Sequence, residues 1–347
     1  MRKSLLLAAA AAVVLAGCSQ DDVVNSGVDQ NNGTPIEFRT VTNKTRATES
    51  MDGNNIGDFR VSANKVGTYA NPAFSFMQDI AVIKTGANWS YAPLKFFPND
   101  GTMIEFFAYS PSGSVNVSTA MTAESASVNS VQKSKLSYTV PVLGETKKAE
   151  DFLVSVATGS KDNVDQKIQM NFTHALSMAT FAAKNISKGM TLIVDTIEIS
   201  DLGVTADLTL DAASAATTKF AWTTPANQSS TYGVALPTDG VPVLPESADD
   251  KGFKTLLPTN EGLMILPQTV SASTVFTVRY RAVDADNITI GRESAEFQLL
   301  GQTFELGKKY TFNITFEGTF KPLVFDGIDV EPWVDGGTIA PTPPIVP

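Results

Sequence analysis

The chain is built from short runs in which apolar and polar residues alternate, and this period of two limits it to sheet. Phe276-Thr277-Val278-Arg279-Tyr280-Arg281-Ala282 is one such run, and Tyr310-Thr311-Phe312-Asn313-Ile314-Thr315-Phe316 is another. Successive side chains of an extended backbone point to opposite faces, so each run can bury one face and wet the other. Comparable runs occupy residues 59–66, 80–84, 103–110, 152–157, 167–173, 191–200 and 263–266. Turn-forming clusters stand between them, among them Asn99-Asp100-Gly101, Asp239-Gly240 and Asp326-Gly327. No segment keeps a helical period beyond three turns. The expected class is all-β, with sandwiches of antiparallel strands in place of a parallel sheet carrying crossover helices.

The N-terminus carries an address. Met1-Arg2-Lys3-Ser4 precedes an apolar stretch from Leu5 to Gly17 that is shorter than the roughly 20 residues of a membrane-spanning helix and has the form of a secretory signal. The stretch closes as Leu15-Ala16-Gly17-Cys18, and Cys18 is the only cysteine of the chain. This ending resembles the bacterial lipobox, which implies diacylation of the Cys18 thiol and cleavage just before it. Several acyl chains hold where one does not, since each buried methylene contributes about 0.8 kcal/mol. A plain secretion signal with a chance cysteine is the alternative. By resemblance to lipoprotein sorting rules, Ser19 in place of Asp implies passage to the outer membrane. Ser19-Gln20-Asp21-Asp22 resembles the acidic signals of surface lipoproteins, or is a solvated tether. A single cysteine excludes an internal disulfide, so packing alone must stabilise the fold.

With 26 basic and 36 acidic residues the chain carries a net charge of −10, and loss of Arg2 and Lys3 with the leader takes it to about −12. Nucleic acid is therefore excluded as a partner, because phosphate contacts need clustered Lys and Arg. The length suits two domains. The expected organisation is a signal peptide over residues 1–17, a flexible tether over 18–33, an N-terminal β-sandwich over 34–162, a C-terminal β-sandwich over 163–335 and a Pro-rich tail over 336–347. Residues 110–137, rich in Ser, Ala, Thr and Val, are either a long surface loop or a weak pair of edge strands.

Catalytic chemistry is not expected. His174 is the only histidine, so paired-histidine metal sites and a zinc-protease helix are ruled out, and its place at the end of an alternating run suits a hydrogen-bonded structural residue. Asp284-Ala285-Asp286-Asn287 lacks the spacing of a calcium loop and reads as a hairpin turn. Asp249-Asp250 are adjacent in a polar stretch and read as solvent-facing charge rather than a glycosidase pair. Trp89, Trp222 and Trp333 with Tyr91 and Tyr232 are either a sugar-stacking platform or core aromatics, and the core is favoured. Asp195-Thr196-Ile197 resembles a bacterial O-glycosylation site by chance within a strand pattern. No metal and no cofactor is expected.

The landmarks nevertheless follow a familiar order. Ile36-Glu37-Phe38, Thr45-Arg46-Ala47, Trp89-Ser90-Tyr91, Lys95-Phe96-Phe97-Pro98 and Ile104-Glu105-Phe106-Phe107-Ala108-Tyr109-Ser110-Pro111 resemble the N-terminal pattern of the fimbrillins. Asp151-Phe152-Leu153-Val154, Met170-Asn171-Phe172-Thr173-His174-Ala175-Leu176-Ser177, Ile265-Leu266-Pro267-Gln268 and Gly307-Lys308-Lys309-Tyr310-Thr311-Phe312, closed by Trp333, resemble its later part. The resemblance implies a subunit of the type V pilus with two tandem transthyretin-like β-sandwich domains, exported as an outer-membrane lipoprotein and displayed on the cell surface in a fimbrium. It implies cleavage after an arginine, matched here by Arg46, and joining to other pilus subunits by strand exchange. Ile36 and Phe38 then belong to an edge strand that cleavage frees. The receptor would be a host or bacterial surface glycan or protein, and the place in the fibre, tip, accessory or shaft, is open. Pro341, Pro343, Pro344 and Pro347 remove amide donors from both sides of the tail, so a donor strand is expected at residues 321–333 and the balance tilts from shaft toward tip or accessory subunit. The other reading is a surface-anchored glycan-binding lipoprotein that does not polymerise.

Overall fold

The computed structural model describes residues 33–42, 56–67, 74–124, 133–141, 150–162, 167–187, 189–214, 218–225, 230–234, 236–247, 252–258, 261–317 and 323–333. Among them there is no helix. The strands of the first half are β1 (Phe38–Thr42), β2 (Asp58–Lys65), β3 (Met77–Thr85), β4 (Asn88–Ser90), β5 (Ile104–Ser110), β6 (Val117–Glu124), β7 (Lys133–Thr139), β8 (Leu153–Gly159) and β9 (Ile168–His174). Then come β10 (Ser177–Asn185), β11 (Thr191–Leu202), β12 (Thr205–Asp211), β13 (Phe220–Trp222), β14 (Ser230–Gly233), β15 (Val241–Val243), β16 (Lys254–Thr255) and β17 (Leu263–Ile265). The last are β18 (Gln268–Thr269), β19 (Val275–Val283), β20 (Thr289–Gln298), β21 (Thr303–Phe304), β22 (Lys308–Phe316) and β23 (Val324–Pro332).

A seven-stranded sheet runs β1-β9-β8-β5-β2-β3-β4. The boundary expected at residue 163 lies between β8 and β9, and both belong to this sheet, pairing at Leu153–His174 and Val154–Thr173. One face covers a core of Ile36, Phe38, Phe59, Val61, Phe97, Ile104, Phe106 and Phe172 among others. The other face joins a second, larger core through Phe107, Tyr109, Phe152 and Val154. Strand β5 therefore departs from the expectation of one wet face: every residue in it is buried, because apolar layers lie on both sides.

The larger core continues under a four-stranded sheet, β13-β12-β7-β6, and between two five-stranded sheets. One of these runs β16-β10-β22-β23 with β17 also paired to β10, and the other β14-β11-β19-β20 with β15 also paired to β11. Phe181 of β10 stacks 5.7 Å from Phe276 of β19, and Phe312 of β22 lies 5.0 Å from the same ring, so these two sheets pack face to face. Within the uncertain stretch 110–137, β6 pairs with β7 and forms the edge of its sheet, which decides for strands over loop. Asp239-Gly240 turns as expected, with Gly240 at φ +74°. Asp326-Gly327 does not. It lies inside β23, where Gly327 takes φ +118° beside a register shift opposite Asn313 and Ile314, so the glycine serves a β-bulge rather than a turn.

Candidate functional site

Of the residues marked by the sequence, Ile36 and Phe38 fall within the structure, whereas Cys18 and Arg46 lie outside the described residues, as does the tail. Ile36 is 0% exposed and Phe38 3%, while Glu37 and Arg39 between and beyond them are exposed, the alternation that the sequence shows. The Phe38 ring meets Phe59 edge-on at 5.6 Å, Phe106 edge-on at 5.7 Å and Tyr91 at 5.5 Å.

This segment is held from both sides. On one side β1 runs parallel to β9, from Phe38 opposite Ile168 to Thr42 opposite Phe172, and the Ile168 amide donates to the Glu37 carbonyl at 2.7 Å. On the other side the chain just after β4 folds across to meet it. The Ile36 amide donates to the Lys95 carbonyl at 2.9 Å, and the Phe97 amide to the Thr34 carbonyl at 2.9 Å. The Tyr91 hydroxyl donates to the Ile36 carbonyl at 2.8 Å; burial raises its pKa, so it remains a donor across the ordinary pH range. The backbone comes close enough at Gly33 that a Cβ there would sit 3.2 Å from that of Phe96. Residues 33–42 are thus the stave that closes the seven-stranded sheet onto itself, since β4 and β1 are its two margins.

The arrangement is mechanical rather than catalytic. Burying Ile36 and Phe38 stabilises the closed form by about 2–3 kcal/mol each, and each backbone hydrogen bond adds about 1 kcal/mol. Taking the stave out would leave unpaired amides on β9 and an apolar slot over Phe59, Phe106 and Tyr91, and only another strand with apolar residues two apart would satisfy both.

The remaining candidates have structural roles. His174 Nδ1 lies 2.8 Å from Asp151 Oδ1, and its ring stacks on Trp333 at 3.9 Å and 12°. The aromatic residues form no common platform: Trp89 packs on Phe59, Trp222 donates to the Ala175 carbonyl at 2.5 Å, and the Tyr232 hydroxyl donates to the Gly203 carbonyl at 2.8 Å. Asp284 caps the β19–β20 hairpin by accepting from the amides of Asp286 (3.0 Å) and Ile288 (2.8 Å). Asp195 is held in ion pairs by Arg281 and Arg292. Asp249 and Asp250 lie outside the described residues. Within the segment expected to donate, β23 is already paired along its length with β22. Sequence reasoning missed Tyr91, Lys95 and Phe97 as partners of the stave. The Trp-Ser-Tyr and Lys-Phe-Phe-Pro motifs mark them, but nothing local says which strand they meet.

The fimbrillin-like family profile matches residues 45–333. Fimbrium subunit Fim1C of Phocaeicola vulgatus is 26% identical over 188 residues, 50% of this chain and 49% of that protein, so the match spans about half the length of the relative. A fimbrial protein crystal structure from Bacteroides vulgatus aligns with a TM-score of 0.61 at 17% identity, covering 86% of this chain and 99% of that one. A candidate cell-adhesion protein from Bacteroides uniformis aligns with a TM-score of 0.51 at 18% identity, covering 87% of this chain and 100% of that one. These likenesses of structure bear on the fold alone. The family and the fold are those of fimbrial structural and adhesion proteins, which are not enzymes. The profile covers most of the chain, and the all-β architecture agrees with it: the chain belongs to the fimbrillin-like family.

Proposed function

We propose that the protein is a structural and adhesive subunit of a cell-surface fimbrium, exported as an outer-membrane lipoprotein through Cys18, cut after Arg46, and joined to other pilus subunits by exchange of residues 33–42 for a strand of a neighbour. One observation carries this reading. The segment that seals the first core ends four residues before Arg46, and it is held by two deep side-chain anchors between a short ladder with β9 and the bonds to the chain after β4. A strand with that balance can leave as a unit and be replaced as a unit, whereas its loss without replacement uncovers the first core. The fibre position, tip, accessory or shaft, and a glycan or protein receptor on host or bacterial surfaces belong to the same reading. The aromatic residues give no platform in favour of an anchored lectin.

The test treats the purified full chain and its Arg46→Ala variant with an arginine-specific protease and follows mass by light scattering. Growth of higher species in the natural chain alone is expected. Equal behaviour of the two, with Arg46 shown to be cut, would remove the reading. Cys18→Ala is expected to abolish lipid labelling, and normal labelling would refute the anchor.

A further inference from the structure

β20 is an open margin of its sheet, and a long one. It has ten residues, pairs with β19 on one side, and stands last in the order β14-β11-β19-β20. Among the described residues no backbone hydrogen bond from another segment reaches its other side. The other margins are blunted. β13, β14 and β16 run to only two to four residues, β6 is broken by two register shifts, and the margins β1 and β4 are drawn together at the Pro35–Phe96 bridge. β23 is long, but it bulges at Gly327 and carries Asp326, Asp329 and Glu331. Short length, bulges and like charge are the devices that keep sheet edges from pairing with other chains. β20 has neither proline nor lysine, and its ladder is regular from Gly291 to Gln298, with the one irregularity at Ile290.

The side chains along this edge are complementary to their own reversal. Ala295 and Phe297 pack toward the core, so by the period of two Arg292, Ser294, Glu296 and Gln298 share the outward face. When two β20 edges meet antiparallel about Ser294, Arg292 of each copy stands opposite Glu296 of the other, twice in one interface. Both are available. Glu296 is exposed and has no ion-pair partner among the described residues, while Arg292 is 69% exposed and shares Asp195 with Arg281. The ends match too: Ile288 and Ile290, 60% and 46% exposed, come to the end of the partner edge where Leu300 is 68% exposed. We propose that β20 is the docking edge for a second copy of this chain, joined by two-fold antiparallel pairing centred on Ser294 into one sheet across two subunits. The backbone ladder supplies the attraction, and the two Arg–Glu pairs set the register, since a slip of two residues breaks both. This contact uses neither the slot nor the cut at Arg46.

The experiment follows the full chain, carrying Arg46→Ala so that strand exchange cannot contribute, by sedimentation from about 1 μM to about 300 μM, the range of weak contacts. A reversible monomer–dimer equilibrium is expected. Arg292→Glu and Glu296→Arg, each added alone, set like charges opposite one another at both pairs and are expected to weaken the dimer about tenfold. The variant carrying both exchanges restores opposite charges and is expected to return to the affinity of the parent, with circular dichroism showing the same fold throughout. A parent chain that stays monomeric at the highest concentration would overturn the proposal. So would a dimer that neither single exchange weakens, or a double exchange no tighter than the single ones. Masses that grow past the dimer would also overturn it, because an unlike contact such as β20 on β23 builds open chains rather than a closed pair.

Discussion

The two terminal strands of the described fold are held in opposite ways. β1 pairs with β9 at five positions, in parallel, and depends on Ile36 and Phe38 sunk to 0% and 3% exposure. β23 pairs with β22 at eight positions, antiparallel, yet leaves Val330 44% exposed. Polar contacts make up for the shallow packing of β23. Glu331 pairs with Lys309 at 3.0 Å, Asn313 donates to Asp329 at 2.7 Å, and the Trp333 amide donates to the Gly307 carbonyl at 2.8 Å. A ladder of many bonds resists removal step by step, and a pair of deep anchors gives way together. The first design suits a fixed edge and the second a replaceable part.

The comparison breaks most sharply at the anchors. Phe38→Ala should cost about 3–4 kcal/mol by denaturant titration, because three rings close around that side chain. Val330→Ala should cost under about 0.5 kcal/mol. Similar costs at the two positions would mean that β1 is not held chiefly by its anchors.

A smaller effect is expected where the C-terminal end is pinned. Trp333→Ala removes the ring that lies 3.9 Å over His174 and should cost about 2 kcal/mol, with loss of protection confined to β22 and β23. Loosening of β1 in this variant would show the two ends to be coupled.

Glu105 sharpens the comparison through pH. It lies in β5, opposite Asn64 and Thr158, with one carboxylate oxygen buried and unpartnered. Burial, helped by Asp211 and opposed by Lys219, raises its pKa from 4.5 to about 7. In that window the folded chain holds a proton that the unfolded chain has released. Its contribution to stability is therefore full below about pH 4.5 and is lost as pH rises through about 7, by on the order of 1–2 kcal/mol. Glu105→Gln should flatten that part of the stability–pH curve, and an unchanged slope would assign the proton elsewhere. The smallest effect belongs to Lys167→Ala, which should change the stability of the uncut chain by about 0.2–1 kcal/mol, as for other exposed pairs.

Part of the fold is readable from periodicity, since β9 and β12 keep a period of two that depends only on neighbours in sequence; β22 alternates in sequence yet buries Asn313 and Thr315 as well, so its expected wet face is absent. Ile36 and Phe38 were legible for the same reason. Their partners were not. Phe38 meets Ile168 and Ile36 meets Lys95, and long-range pairing is chosen by the whole set of strands rather than by any local pattern. Strand β5 misled in the other direction: its run reads as half-buried, and the layers that cover its two faces, with β1 on one side and β6 and β7 on the other, are set by tertiary packing that its own residues do not show. Gly327 looked like a turn because Asp-Gly is locally ambiguous between a turn and a bulge.

Hydrogen exchange read by mass spectrometry, before and after cutting at Arg46, tests the central claim most directly. The account predicts that, once the cut stave is allowed to leave, the amides of residues 168–172 exchange faster while those of β22 and β23 keep their rates, and that an excess of the peptide of residues 33–42 restores the first set. Unchanged protection of residues 168–172 after the cut, or a loss of protection spread over the whole fold, would contradict it.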